Sequence, residues 1–237
     1  GGTAGHVTPN LALIERFKEE GWETHYIGSA IGPESSMIPS ECCFHAVASG
    51  KLRRYFSWQN CIDPFKMLLG IAQSWGVLKK TKAQVVFSKG WFVAFPGVVA
   101  TWLLRIPVIA HESDFSPGLA NRLSYSFARK ICLTFEAAKK YFSNQSRLLV
   151  TGTPIRDNLA QGQQAVGFSI CGFDNQKPVL LMIGGSQGAS ALNTVLRQAL
   201  PQLINDYQVV HICGKGKIDD SFVDQKNYRQ FEFISDG

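Results

Sequence analysis

Val179-Leu180-Leu181-Met182-Ile183-Gly184-Gly185-Ser186-Gln187-Gly188-Ala189 is the stretch whose reading decides the fold. It opens as an apolar run of strand length. A glycine-rich loop follows, and Leu192, Val195, Leu196, Ala199 and Leu200 then keep a helical period. Strand, glycine loop, helix is the setting in which free backbone N–H groups at a helix start meet an anion, with glycine letting the backbone come close. The loop lacks the Gly-Lys-Ser/Thr ending of a P-loop and the third glycine of a dinucleotide fingerprint. ATP hydrolysis and NAD binding are therefore not its first readings.

A second glycine loop begins the chain: Gly1-Gly2-Thr3-Ala4-Gly5-His6-Val7. Thr8-Pro9 reads as the start of the helix behind it, with Leu11, Ile14 and Phe17 in period and Gly21 at its end. A phosphate is the natural guest, with His6 at hand for proton transfer. No strand and no initiator Met precede this loop, so the chain is expected to be a fragment lacking at least one strand.

Between the loops, short apolar runs alternate with helical patterns. Strands are expected at Glu23–Ile27, Phe44–Val47, Val85–Ser88, Pro107–Ala110, Lys130–Leu133 and Leu148–Val150. Helices are expected from about Pro64, Pro96 and Pro117, with a short one at 136–142. Such alternation predicts α/β architecture: parallel sheets with helices on both faces. Residues 158–178 are polar and turn-rich. The expected division is a first domain at 1–158, a linker at 159–178, and a second domain opening at 179 and cut short at 237. Within it, strands are expected at Tyr207–Cys213 and Phe231–Ile234. Two Rossmann-like domains facing a cleft, each with a glycine loop, is the predicted architecture.

Hydrophobic residues make up 45% of the 237-residue chain and charged ones 18%, a globular balance. The six cysteines show no metal spacing and read as reduced thiols. The net charge of +6 suits an acidic partner. Nucleic acid has little support, because no recognition motif accompanies the charge. From Lys51 to Lys82 cations mix with aromatic and aliphatic residues. That stretch reads either as a membrane-surface patch or as core (Phe65, Leu68, Leu69, Ala72, Trp75) with a solvated cationic edge.

Taken together, both glycine loops, Ser88-Lys89-Gly90-Trp91-Phe92-Val93, His111-Glu112-Ser113-Asp114, Pro117-Gly118-Leu119-Ala120-Asn121 and Thr151-Gly152-Thr153-Pro154-Ile155-Arg156 fall in an order that resembles the bacterial family-28 glycosyltransferases of the GT-B fold. The resemblance covers essentially the whole chain. It implies inverting transfer of N-acetylglucosamine from UDP-GlcNAc to lipid I, giving lipid II in peptidoglycan synthesis. The N-terminal domain would take the acceptor at the cytoplasmic face of the cell membrane, and the C-terminal domain would take the donor. No cofactor and no catalytic metal is implied. The alternatives are a membrane-docking module that recruits a separate catalytic subunit, or another UDP-sugar enzyme of the same fold. The resemblance also raises the membrane reading of Lys51–Lys82.

Carried over, Thr3, Ala4 and Gly5 would touch the donor sugar or its phosphates. Arg156, Ser186, Gln187 and Gly188 would bind the donor. His6 would serve as general base or acceptor-binding group, and Asp114 would orient an acceptor hydroxyl or cap the helix at Pro117. The chemistry fits those residue types. Inverting transfer needs a base, for which histidine suits, and donors for the leaving diphosphate. Arg156 offers a bidentate fork. His25, His45, His111 and His211 read as structural, and Lys215 and Lys217 as solvated. Trp91 stands where the family has a second glycine and is expected to crowd a pyrophosphate. Ala4 replaces a glycine of the first loop. Uracil- and ribose-binding residues are expected beyond Gly237, leaving the chain by itself inactive.

Overall fold

The computed structural model describes residues 4–30, 34–50, 59–185 and 188–234, and divides into two compact units, 1–156 and 157–237. In the first unit, α1 (Ala4–Glu19) leads to β1 (His25–Gly28), α2 (Glu34–Met37) and β2 (Cys43–Ala46). β1 and β2 pair in parallel, His25 opposite Cys43. Then come α3 (Gln59–Lys80), β3 (Val86–Ser88), α4 (Trp91–Leu103), β4 (Val108–Glu112), α5 (Leu119–Tyr125), β5 (Lys130–Leu133) and β6 (Leu148–Val150). The last four strands form one parallel sheet in sequence order.

The core of this sheet is Val98 from α4, Val108 and Ala110 from β4, Ile131 and Leu133 from β5, and Tyr125, Ala128 and Ala138. A buried aliphatic side chain of this kind contributes about 1.5–3 kcal/mol. The apolar run in β4 continues into two polar residues, His111 and Glu112, which stay buried and are still paired with β5. The sheet thereby carries chemistry to its carboxyl edge, where parallel sheets bind ligands.

Three helices start earlier than the sequence predicts. Pro9, Pro64 and Pro96 read as first-turn prolines, yet each is the sixth residue of its helix. Proline there forfeits one ladder bond to the helix's second residue, beside a first turn whose N–H groups lack intrahelical partners anyway. Gly5 and His6 consequently lie within α1 rather than in a loop. Trp91 opens α4.

The core reading of α3 is overturned. Phe65, Leu68, Leu69 and Trp75 are exposed, Phe65 by 72% and Leu68 by 64%. The Lys79 ammonium sits 4.1 Å from the centre of the Trp75 ring. Among the described residues no helix is long and apolar enough to cross a membrane. Lys51–Trp58 lies outside the described residues.

In the second unit, α6 (Gln164–Cys171) occupies the stretch that reads as a linker, closed by Gly172 in the left-handed conformation. β7 (Val179–Ile183), α7 (Ser190–Asp206), β8 (Gln208–Ile212) and β9 (Tyr228–Phe231) follow. The three strands form a parallel sheet in the order β7-β8-β9. Leu200, Val209 and Tyr228 make its core. β8 is central and buried, whereas β7 is an edge strand with exposed side chains. The third strand starts three residues before the expected Phe231, because Tyr228 is the residue that enters the core while Phe233 and Ile234 stay exposed.

Candidate functional site

At the carboxyl edge of the four-stranded sheet, Lys89, His111, Glu112, Ser113 and Asp114 gather behind β3 and β4. Lys89 is only 5% exposed. Its Nζ donates to His111 Nδ1 at 2.9 Å and to Ser113 Oγ. His111 Nε2 lies 2.8 Å from the Gly152 carbonyl beyond β6. A carbonyl only accepts, so the imidazole carries its proton on Nε2 and accepts at Nδ1. Burial pushes the His111 pKa down, with the Lys89 charge adding to the effect. Burial likewise lowers the Lys89 ammonium to about 8, against the pull of Glu112 and Asp114.

Glu112 anchors the other side. Its Oε1 accepts from the Asp114 backbone N–H at 2.8 Å. Its Oε2 accepts from Asn121 Nδ2 at 3.1 Å and from the Tyr125 hydroxyl at 2.7 Å. Burial and the neighbouring Glu112 raise the Tyr125 pKa, keeping that hydroxyl a donor. Gly90 caps α4 with φ of 81°. A Cβ there would lie 2.1 Å from Asn121 Oδ1, so glycine is required where the loop turns over α5.

In the second unit the glycine loop is held to the end of β8. Gly188 has φ of 64°, and a Cβ on it would lie 2.1 Å from the Cys213 carbonyl oxygen. That same oxygen accepts from Asn193 Nδ2 at 2.8 Å. Asn193 Oδ1 in turn accepts from His211 Nε2–H at 3.0 Å, and His211 Nδ1 accepts from the Tyr228 hydroxyl at 2.7 Å. Lys217, which reads as solvated, instead donates to the Gly188 carbonyl at 3.1 Å. A shallow cleft of about 480 Å³ opens between the first half of α7 (Ser190, Asn193, Arg197) and Lys217–Ser221.

This buried relay predicts acid sensitivity. Burial, with Arg197 adding to it, lowers the His211 pKa to about 4. An unfolded imidazole titrates near 6.5, so as pH falls the unfolded chain takes up the proton first. The stabilisation is therefore complete above about pH 6.5 and is lost as pH falls toward 4, amounting to about 3 kcal/mol. Denaturant unfolding at pH 6.5 and pH 5 should show a marked loss that His211→Gln flattens. An equal slope in both proteins would remove His211 as its source.

Of the residues singled out by sequence, Thr3, Ser186 and Gln187 lie outside the described residues, as do the side chains of Ala4, His6 and Trp91. Gly5 is exposed in the first turn of α1. Asp114 is exposed beside the Glu112 network, and it is Gly118, without any side-chain cap, that precedes α5. The capping role for Asp114 is thus replaced by a side chain facing solvent at the strand ends. Arg156 follows β6, and its Nε is a buried donor without a partner among the described residues. Lys89, Glu112 and Asn193 join the two clusters without having been named as site residues. The signal available for them was polarity next to apolar strands and glycine loops.

The comparisons with known proteins agree with this layout. The glycosyltransferase family 28 N-terminal domain matches residues 1–133, and the family's C-terminal domain matches residues 179–236. A UDP-N-acetylglucosamine--N-acetylmuramyl-(pentapeptide) pyrophosphoryl-undecaprenol N-acetylglucosamine transferase of Legionella pneumophila is 59% identical over the whole chain, which spans 65% of that relative. The protein of the same name from Clostridium tetani is 47% identical, and the chain spans 66% of it. Among solved structures, MurG of Acinetobacter baumannii superposes with a TM-score of 0.70 at 27% identity, over 99% of this chain and 65% of that one. With an N-terminal model covering more than half of its length and a C-terminal one following in order, the chain belongs to glycosyltransferase family 28.

Proposed function

We propose that this chain forms the acceptor domain and the opening of the donor domain of an enzyme that transfers N-acetylglucosamine from UDP-GlcNAc to lipid I, with inversion, to give lipid II. The observation that carries the reading is identity of 59% along the full chain to a relative bearing that transferase's name. In the reaction a sugar hydroxyl of lipid I attacks C1 of the donor sugar. The bond from C1 to the UDP oxygen breaks, UDP leaves, and the hydroxyl proton passes to a base. His6 is assigned as that base, and Asp114 as the group orienting the acceptor. Thr3, Ala4, Gly5, Arg156, Ser186, Gln187 and Gly188 are assigned to the donor. Gly188 supports this through a glycine loop at the start of a 17-residue helix, a geometry suited to diphosphate. Arg156 Nε, a buried donor without a partner among the described residues, supports it as well. UDP-GlcNAc is a substrate in this scheme, and no resident cofactor is assigned.

The acceptor is a membrane lipid, so the enzyme is placed peripherally at the cytoplasmic face. The exposed Phe65, Leu68, Leu69 and Trp75 of α3, with Lys66, Lys79 and Lys80, support docking on an anionic surface. The test is transfer of labelled GlcNAc from UDP-GlcNAc to a short-chain lipid I analogue by the complete gene product. His6→Ala is expected to lower the rate by about 10²–10⁴-fold, the usual contribution of a general base. Transfer unaffected by His6→Ala would strip His6 of its role. Absence of transfer under conditions where a relative is active would overturn the function itself.

A further inference from the structure

Lys89 is the buried cation that this reaction scheme leaves unused. It is the residue after β3, on one edge of the four-stranded sheet. Its ammonium reaches His111 at the end of β4, and His111 reaches over β5 to the Gly152 carbonyl beyond β6, the opposite edge. One hydrogen-bonded chain thus runs across the carboxyl ends of the whole sheet. Lys89 also donates to Ser113 Oγ. A hydroxyl that accepts from an ammonium keeps its own proton for another partner, and the donated bond polarises it. Ser113 is partly exposed, next to Asp114 at the strand ends.

We infer that Lys89 is a positioning residue: it holds His111 in the Nε2–H form that ties down Gly152, and it turns the Ser113 hydroxyl outward to donate to an anionic oxygen of the acceptor's diphosphate. The inference rests on the proposed transferase reading for its ligand, and not for the Lys89–His111–Ser113 geometry. An ammonium with an apolar stem can do this from inside the protein, whereas a solvated lysine would hold neither partner. The charged and titratable groups facing Lys89 are His111, Glu112 and Asp114 from the end of β4, and Tyr125 of α5 through Glu112.

Two measurements test it. The first needs no activity: NMR of this chain with ¹⁵N-labelled histidine. His111 should appear as the Nε2–H tautomer, and Lys89→Met should move its titration midpoint to higher pH, because the Lys89 charge holds it down. A midpoint that stays in place overturns the inference even if no transferase activity is found. The second is a double-mutant cycle on kcat/KM for the lipid I analogue, in the complete gene product. Lys89→Met and Ser113→Ala should each lower it by about 10- to 100-fold, as loss of a hydrogen bond to a charged group implies. KM for UDP-GlcNAc should hold, and the double variant should be little worse than either single one. Wild-type kcat/KM should also fall as pH rises through about 8, where Lys89 loses its proton, and Ser113→Ala should blunt that fall. Should Lys89→Met fail to fold, Ser113→Ala removes one hydroxyl only and carries the kinetic test alone. Losses that add, or an acceptor kcat/KM that Ser113→Ala leaves intact, overturn the inference.

Discussion

Gly188→Ala should destabilise the second unit by about 3–5 kcal/mol, among the largest effects of any single methyl group in this chain. Two costs combine. The residue has φ of 64°, a left-handed conformation that costs an L-residue about 1–2 kcal/mol. The added Cβ would also sit 2.1 Å from the Cys213 carbonyl oxygen, with Cys213 C and Gly214 Cα each at 3.0 Å. These are backbone atoms, so no side chain can swing aside. Either the loop lifts or the end of β8 shifts. Lifting breaks the Gly188 N–H bond to Gly185 at 2.9 Å and the Lys217 bond at 3.1 Å, and shifting breaks the Asn193 bond to Cys213 at 2.8 Å. Gly185→Ala is the control. Its φ is also positive, at 75°, but among the described residues its Cβ meets nothing within 4 Å, so only the conformational cost of about 1 kcal/mol applies. Denaturant unfolding of the two variants separates the terms. Equal losses would mean that backbone conformation, and not contact with β8, makes Gly188 obligatory.

The strands were legible because their apolar runs are short and bounded. β5 and β7 fall where the pattern puts them. Helix starts were not, because first-turn proline is a local rule, and three helices begin five residues upstream of their proline. The exposed face of α3 was hidden for a related reason: Phe65, Leu68 and Leu69 keep the same spacing whether they meet a core or solvent. At the site, His111-Glu112-Ser113-Asp114 was legible as a polar stretch after an apolar strand, but its partners were not. Gly152 lies 41 residues from His111, and Tyr125 lies 13 from Glu112. Lys217 was misleading for the opposite reason, and Lys89 went unnamed as a site residue. Lysine is almost always solvated, and nothing nearby in the sequence announces that these two find acceptors inside the fold.

Glu112→Ala should cost the first unit a comparable amount, about 3–5 kcal/mol, although no backbone strain is involved. Glu112 is 1% exposed, and its two oxygens satisfy three donors. Removing it takes away the carboxylate acceptor that the Asn121 amide and the Tyr125 hydroxyl share, both buried, and leaves a cavity where the side chain stood. Tyr125→Phe removes one donor only and leaves the carboxyl group its other partners, so it should cost less, about 1.5–3 kcal/mol. The order of the two variants is the informative result. If Glu112→Ala were the milder one, the carboxyl group would be a burden that the fold tolerates for the sake of chemistry at its exposed neighbour Asp114. If it is the more severe, as the hydrogen bonds indicate, Glu112 is the post on which α5 hangs. Through Asn121 it also sets the space that Gly90 leaves open at the start of α4. The carboxyl edge of the sheet would then be shaped by a residue that is itself almost wholly buried.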